Sequence, residues 1–247
     1  MDTTLYFCLN KIRFWLEPEE ILIYENGLKP VPIETKYKNM NITIIGASAG
    51  VGLETVKRAL ERNHIVTTLS RSAIQLPENK NLISLKGNAL NKEDLQKSIE
   101  NADAVIVALG TGKSMKPTTL YSDFAKILVE IGKKDIPTVV LTGFGAGNSW
   151  DFQPNFFMKL FFKYLLKDVY ADKTRMEEII AKSELNWTIV RPGLLKDKPL
   201  TEKYKAEPRL FKGVKIGSIN RSDVADFMVK EAENQQYKNN YPAISNK

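Results

Sequence analysis

The amino-acid sequence predicts an α/β protein built on a doubly wound parallel sheet, and three observations carry that prediction. First, short runs rich in β-branched and aliphatic residues recur at Asn41–Ile45, Ile65–Ser70, Leu82–Leu85, Asp103–Leu109 and Thr138–Leu141. Strands buried on both faces read this way. Second, helical patterns lie between several of these runs, notably Asn91–Glu100, with an Asn cap and an acidic first turn, and Thr118–Lys133. Strands alternating with helices imply right-handed crossovers and parallel pairing. Third, the stretch Asn41–Leu60, NITIIGASAGVGLETVKRAL, passes from a strand through a glycine turn into a helix with Leu53, Val56 and Leu60 on one face.

That third stretch organises the rest. Gly46, Gly50 and Gly52 fall within seven residues. One glycine allows the tight turn, another lets backbone approach a pyrophosphate, and the third lets the helix pack close to the strand. The helix N-terminus then offers unbonded N–H groups and a partial positive charge to phosphates. Strand, turn and helix in this order open a dinucleotide-binding βαβ unit, against which a tight structural turn is the bland alternative. The predicted fold is a Rossmann-like sheet in a single domain, a size that 247 residues accommodate.

The end of the second strand bears on the cofactor. An NAD site places Asp or Glu about 20 residues past the glycines, on the ribose 2′-hydroxyl. This chain has Ser70-Arg71-Ser72 instead, with no acidic residue before Glu78. A guanidinium flanked by hydroxyls suits a 2′-phosphate through charge-assisted, bidentate bonds. Arg71 and Ser72 therefore favour NADP(H) over NAD(H); a solvated loop arginine is the alternative.

Composition narrows the class. The formal net charge is +7, yet no block of like charges marks a nucleic-acid arm. The excess reads as attraction for small anions over a solvated, lysine-rich surface. Cys8 is the one cysteine and His64 the one histidine, which excludes a disulfide framework and cysteine- or histidine-rich metal sites. His64 follows Asn63 in a helix-ending turn, where a structural role is expected. No apolar run reaches the ~20 residues of a membrane span, and the expected compartment is the cytosol.

Residues 1–39 stand outside the repeating pattern and read as an appendage or linker, with Met40 beginning the functional domain, 40–247. The alternative is a short β-hairpin of Ile21–Tyr24 and Val31–Ile33 around Asn26-Gly27. Phe156–Val169 carries Lys159, Lys163 and Lys167 on one helical stripe, opposite a wide apolar arc. Core packing or a subunit or partner contact through Phe156–Leu166 is the first reading. A wall of a flat substrate pocket is the second, and membrane-surface contact the third.

Asp172–Leu195 reads DKTRMEEIIAKSELNWTIVRPGLL. It resembles the atypical short-chain dehydrogenase/reductase superfamily, especially its NAD(P)H-binding, NmrA-like and biliverdin-IXβ/flavin reductase-like branch. Lys173, Glu177, Ser183, Leu185, Trp187, Thr188, Arg191, Pro192 and Gly193 match that branch's helix, strand and loop. Ile219–Ala225, INRSDVA, is similar to its I-x-R-x-D-V-A helix start. The resemblance implies that Gly46, Ala47, Ser48, Ala49, Gly50, Val51 and Gly52 hold the diphosphate and that Arg71 meets the 2′-phosphate. It sets Asn88 and Ala89 by the adenine, and Ala108, Leu109 and Gly110 along the ribose and nicotinamide. Thr142 would stand near the reacting ring, Lys173 on the nicotinamide ribose, and Pro192, Gly193 and Leu194 by the carboxamide. Asp223 is either part of this pattern or a helix cap.

Three departures qualify the match. The glycine spacing is G-x-x-x-G-x-G, with Ala49 at the middle position of the branch's G-x-x-G-x-x-G. Asn88 stands where an Asp is usual. Catalytic relatives use Tyr-x-x-x-Lys with a Ser or Thr, whereas Tyr170 and Lys173 are three apart and Gly143 replaces a serine. A spacing of three still shares a helix face, so Thr142, Tyr170 and Lys173 are the catalytic candidates. The expected activity is NADPH-dependent reduction of a small, flat, conjugated molecule such as a flavin, quinone or linear tetrapyrrole. A non-catalytic NADP(H)-binding regulator or scaffold is the main alternative, and a sugar-nucleotide epimerase ranks below it.

Overall fold

In a computed structural model of the chain, the described residues are 22–23, 31–32, 39–112, 114, 116–152 and 166–246. Most of the Phe156–Leu166 stretch lies outside them, and so do the readings placed on it. The chain divides at Asn39 into two units. In the first, β1 (Leu22–Ile23) pairs antiparallel with β2 (Val31–Pro32), Ile23 opposite Val31, within the two runs of the hairpin reading.

The second unit, Met40–Lys247, contains an eight-stranded sheet. Its strands are β3 (Asn41–Ile45), β4 (Ile65–Ser70), β5 (Leu82–Lys86), β6 (Ala104–Val107), β7 (Pro137–Leu141), β8 (Asn186–Pro192), β10 (Tyr204–Glu207) and β12 (Ala243–Asn246). The spatial order is β10-β12-β8-β7-β6-β3-β4-β5, parallel except that β10 runs against β12. Two further short strands, β9 (Leu194–Lys196) and β11 (Ser218–Asn220), pair parallel beside it. Strand order reverses between β3 and β6, and in such sheets the ligand crevice opens beyond the carboxyl ends at that point.

Helices cover both faces because alternate strand residues are apolar on both sides. On one face, Ile42, Ile44, Ala104 and Ile106 meet α1 (Gly50–Glu61) and α5 (Arg221–Asn234). On the other, Ile45, Val105 and Val107 meet α2 (Lys92–Ile99), α3 (Leu120–Ile131) and α4 (Lys167–Ala181). Helix α1 buries Val51, Thr55, Val56 and Ala59, while Leu53 and Leu60 stay half-buried. Its buried stripe therefore lies to one side of the expected one, where small residues allow close packing on the sheet. Helix α2 is capped as its sequence predicts: Asn91 Oδ1 accepts the Asp94 N–H at 2.8 Å.

His64 is structural. Asn63 takes a left-handed φ of 64° and turns the chain so that His64 is fully buried. The Met40 N–H donates to its Nδ1 at 3.3 Å, which leaves Nε2 to donate to Glu233 at 2.8 Å. This ties the start of β3 to the end of α5, at the opposite end of β3 from the glycine turn.

Candidate functional site

The crevice begins where β3 ends. Gly46 has φ +84°, and a Cβ there would stand 2.7 Å from the Ala108 carbonyl oxygen. A Cβ on Gly52 would overlap the carbonyl of Gly46. Backbone thus packs on backbone at both positions, which only glycine permits. Between them, Ala47 is buried, while Ser48, Ala49 and Gly50 are exposed. Helix α1 has no side-chain cap and no acidic residue in its first turn. No side chain of the helix's own first turn competes for its leading N–H groups, which favours an anion there. A diphosphate fits here by the shape and charge of the turn.

The candidate adenine-side residues line the neighbouring strand ends. Ser70 Oγ donates to the Ser72 carbonyl at 2.7 Å, folding the turn so that Arg71 and Ser72 are exposed. Asn88 Oδ1 accepts the Leu90 N–H at 3.1 Å, and the Asn88 N–H donates to Asp94 at 2.8 Å. The Asn88 side chain is thus occupied in its own turn. Across the crevice, Ala108 is buried, Leu109 half-buried and Gly110 exposed, directly after β6.

The structure brings Thr142, Tyr170 and Lys173 together at the end of β7. Lys173 Nζ donates to the Thr142 carbonyl oxygen at 2.7 Å and lies 5.2 Å from the centre of the Tyr170 ring. It also lies 5.3 Å from the centre of the Tyr121 ring, a residue the sequence reading missed. Tyr121 lies in the first turn of α3, is buried, and donates its N–H to Asp172 at 2.8 Å. The lysine therefore sits between two aromatic faces, a cation–π arrangement. Burial pushes the Tyr170 phenol well above its ordinary range, helped by nearby Tyr121 and Glu177. The phenol is thus a weak acid here. Gly143 explains itself: a Cβ there would stand 2.9 Å from the Tyr170 hydroxyl, so the phenol occupies the space a serine would need.

Burial lowers Lys173 to about 8, against the pull of the Glu177 carboxylate. The unfolded chain keeps this lysine near 10.5, so between the two values the unfolded state binds more protons and stability rises with pH. Below that window the buried ammonium opposes folding in full. Wild-type protein should accordingly gain thermal stability relative to Lys173→Met between about pH 7.5 and about pH 10. Parallel melting curves of the two proteins check this, and a constant difference would contradict it.

The hydroxyl of Thr142 points into the protein. It donates to Glu177 Oε1 at 2.7 Å, and Glu177 in turn pairs with Arg191 through two bonds, of 2.6 and 3.1 Å. Arg191 Nη1 donates to Asn148 Oδ1 at 2.6 Å, and its guanidinium carbon lies 4.3 Å from the centre of the Tyr241 ring. Glu177 and Arg191 stand in the matched motif, but the sequence reading gave them no role. Their buried pair joins α4, β7 and β8 into the floor of the crevice.

Past the floor, Pro192 ends β8 buried, Gly193 is half-buried and Leu194 is 62% exposed. The loop that follows is strapped to the start of α5. Asp223 accepts from the Thr201 N–H, the Thr201 hydroxyl, the Glu202 N–H and Asn220 Nδ2, at 2.8–2.9 Å. Ser222 Oγ donates to the Lys198 carbonyl at 2.9 Å. Asp223 is therefore an anchor for the loop 197–202, and not the helix cap weighed from sequence, since Asn220 occupies the cap position.

A glycine turn at the switch point of a doubly wound sheet, under an uncapped helix, defines a dinucleotide-binding α/β protein. The chain belongs to the NAD(P)H-binding family, whose model matches residues 46–235. It is 27% identical over 209 residues to YwnB of Bacillus subtilis (strain 168), described as uncharacterized, covering 81% of this chain and 95% of YwnB. Among solved structures it is similar to ChuY, an anaerobillin reductase from Escherichia coli O157:H7, with TM-score 0.66 and 19% identity over 83% of this chain and 97% of that one. It is also similar to a wide-type short-chain dehydrogenase/reductase from Veillonella parvula DSM 2008 in complex with NADP, with TM-score 0.67 and 17% identity over 83% and 94%. At these identities the structural likeness establishes the fold. Among the described residues, no helix is long and apolar enough to cross a membrane, and no group of three or more His, Cys, Asp or Glu could hold a metal ion.

Proposed function

We propose that the protein is an NADPH-dependent reductase of a small, flat, conjugated acceptor such as a flavin, quinone or linear tetrapyrrole. The observation that carries the reading is the uncapped α1 N-terminus above a turn that only glycine can form, in a family defined by NAD(P)H binding. The bound dinucleotide supplies the hydride. Gly46 to Gly52 hold its diphosphate, exposed Arg71 and Ser72 take the 2′-phosphate, and Asn88 and Ala89 border the adenine. Ala108, Leu109, Gly110, Thr142, Lys173, Pro192, Gly193 and Leu194 line its other half. A phenol as weakly acidic as Tyr170 suits a reduction whose proton comes from solvent, because conjugated acceptors need no strong protein acid. The ChuY and NADP-complexed structures are consistent with this reading.

The test is NADPH oxidation by the purified protein with flavins, quinones and biliverdins, beside direct titration of NADPH and NADH. Turnover with any of these acceptors establishes a reductase. Arg71→Glu should weaken NADPH binding by about ten- to a hundredfold, as loss of a charge-assisted contact does, and leave NADH binding unchanged. Unchanged NADPH affinity would remove the 2′-phosphate contact. The high-lying Tyr170 and the glycine at 143 favour a second reading, a non-catalytic NADP(H)-binding regulator. Tight binding without turnover would select it.

A further inference from the structure

We propose that Arg221 is a diphosphate ligand of this site, held by Asp197 until the dinucleotide takes its place. The proposal rests on the NAD(P)H-binding reading and adds a residue to it.

Helices α1 and α5 run side by side in the same direction. Arg58 Nε donates to Asp226 at 2.7 Å, and further along Arg62 pairs with Glu233 through two bonds of 2.7 and 2.8 Å. Gly50 opens α1 and Arg221 opens α5, so the two N-termini stand level. Beyond Gly50's own neighbours and the backbone of its helix, the atom nearest to where a Gly50 side chain would begin is Arg221 Nε, 3.9 Å away. The guanidinium thus lies beside the exposed end of the glycine turn, where the leading N–H groups of α1 already favour an anion. A helix terminus contributes partial charge, whereas a guanidinium adds a full charge and a planar fork that matches phosphate oxygens.

Its present partner is easily displaced. Arg221 Nη1 donates to Asp197 at 2.6 Å, and the Asp197 side chain is 86% exposed. Pairs so open to water hold weakly. The carboxylate in the first turn of α5, Asp223, is committed to Thr201, Glu202 and Asn220. Those bonds fix the loop that carries Asp197 and hold this carboxylate within reach of Arg221. A doubly charged diphosphate on the glycine turn outcompetes one solvated carboxylate, and Arg221 changes partner by rotating its side chain.

The diphosphate is common to NADH and NADPH, which separates this contact from that of Arg71. Titration of the full-length protein with each dinucleotide, with circular dichroism to confirm folding, provides the test. Arg221→Ala should weaken both by the same factor, about ten- to a hundredfold, and Arg221→Lys should restore part of that loss. Asp197→Asn should tighten both by up to about fivefold, since it removes the competitor. Equal, wild-type affinity in Arg221→Ala would overturn the proposal, and so would a loss confined to NADPH. If Arg221→Ala does not fold, Asp197→Asn decides: unchanged or weaker affinity overturns the exchange. Failure of the wild-type chain to bind either dinucleotide would defeat the cofactor reading itself, and shows before any variant is made.

Discussion

Glu177→Ala should lower the melting temperature by about 6–20 °C, the shift expected when a domain of this size loses about 3–5 kcal/mol. Glu177 and Arg191 are only 2% and 3% exposed. Two charges so deeply buried are tolerable because each satisfies the other through two bonds, with Thr142 and Asn148 occupying further positions. Removing the carboxylate leaves an arginine that cannot lose its charge facing a low-dielectric interior, with Asn148 and the Tyr241 ring as remaining company. Replacing the pair together, as Glu177→Met with Arg191→Met, should recover much of the loss, because well-packed apolar side chains often match a buried ion pair in stability. Thermal melts of the single and double variants check both statements. A single-variant loss below about 1 kcal/mol would mean that water reaches Arg191 and that the crevice floor is not held by this pair.

Gly52→Ala is expected to cost about 1–3 kcal/mol, the range for forcing extra volume into a packed site, and to weaken dinucleotide binding more than tenfold. A methyl group at this position overlaps the Gly46 carbonyl, which is backbone and cannot rotate aside. Relief requires α1 to move away from β3, which carries its leading N–H groups out of line with the turn. Gly50→Ala is the comparison. Its φ of +57° imposes strain of about 1–2 kcal/mol, yet the space beyond is open as far as Arg221. Both variants should weaken dinucleotide binding, Gly52→Ala by displacing α1 and Gly50→Ala by placing a methyl group in the space beside Arg221 that the diphosphate is proposed to fill. Wild-type affinity in Gly52→Ala would show that the approach of α1 to the strand does not position the anion site.

The first half of the sheet was legible because its strands are β-branched runs separated by well-marked turns. Ile65–Ser70 is found at its predicted limits, and the Asn91 cap is formed. The last strands were not. β10, YKAE, alternates over only four residues, and β12, AISN, has neither alternation nor an apolar run long enough to announce a strand. Their conformation comes from the pairing slot beside β8, a tertiary effect that overrides local preference. The same distinction holds in the crevice. The glycine turn is contiguous, so its geometry could be argued from spacing. Tyr121 meets Lys173 from a different helix, and Asp197 meets Arg221 across 24 residues, so both contacts required the fold. Glu177 and Arg191 were visible as motif residues, but their mutual burial was not.

The placement of β12 has a consequence for how the chain is made. Residues 243–246 lie inside the sheet, with Ala243 opposite Arg191 of β8 on one side and Glu207 of β10 on the other. During translation, β8 and β10 emerge well before the strand that joins them. Until then the nascent chain presents an open β8 edge, where a strand from another polypeptide could pair. Deleting residues 243–246 would leave that edge open permanently, so the loss of this short segment should do the damage of losing an interior strand.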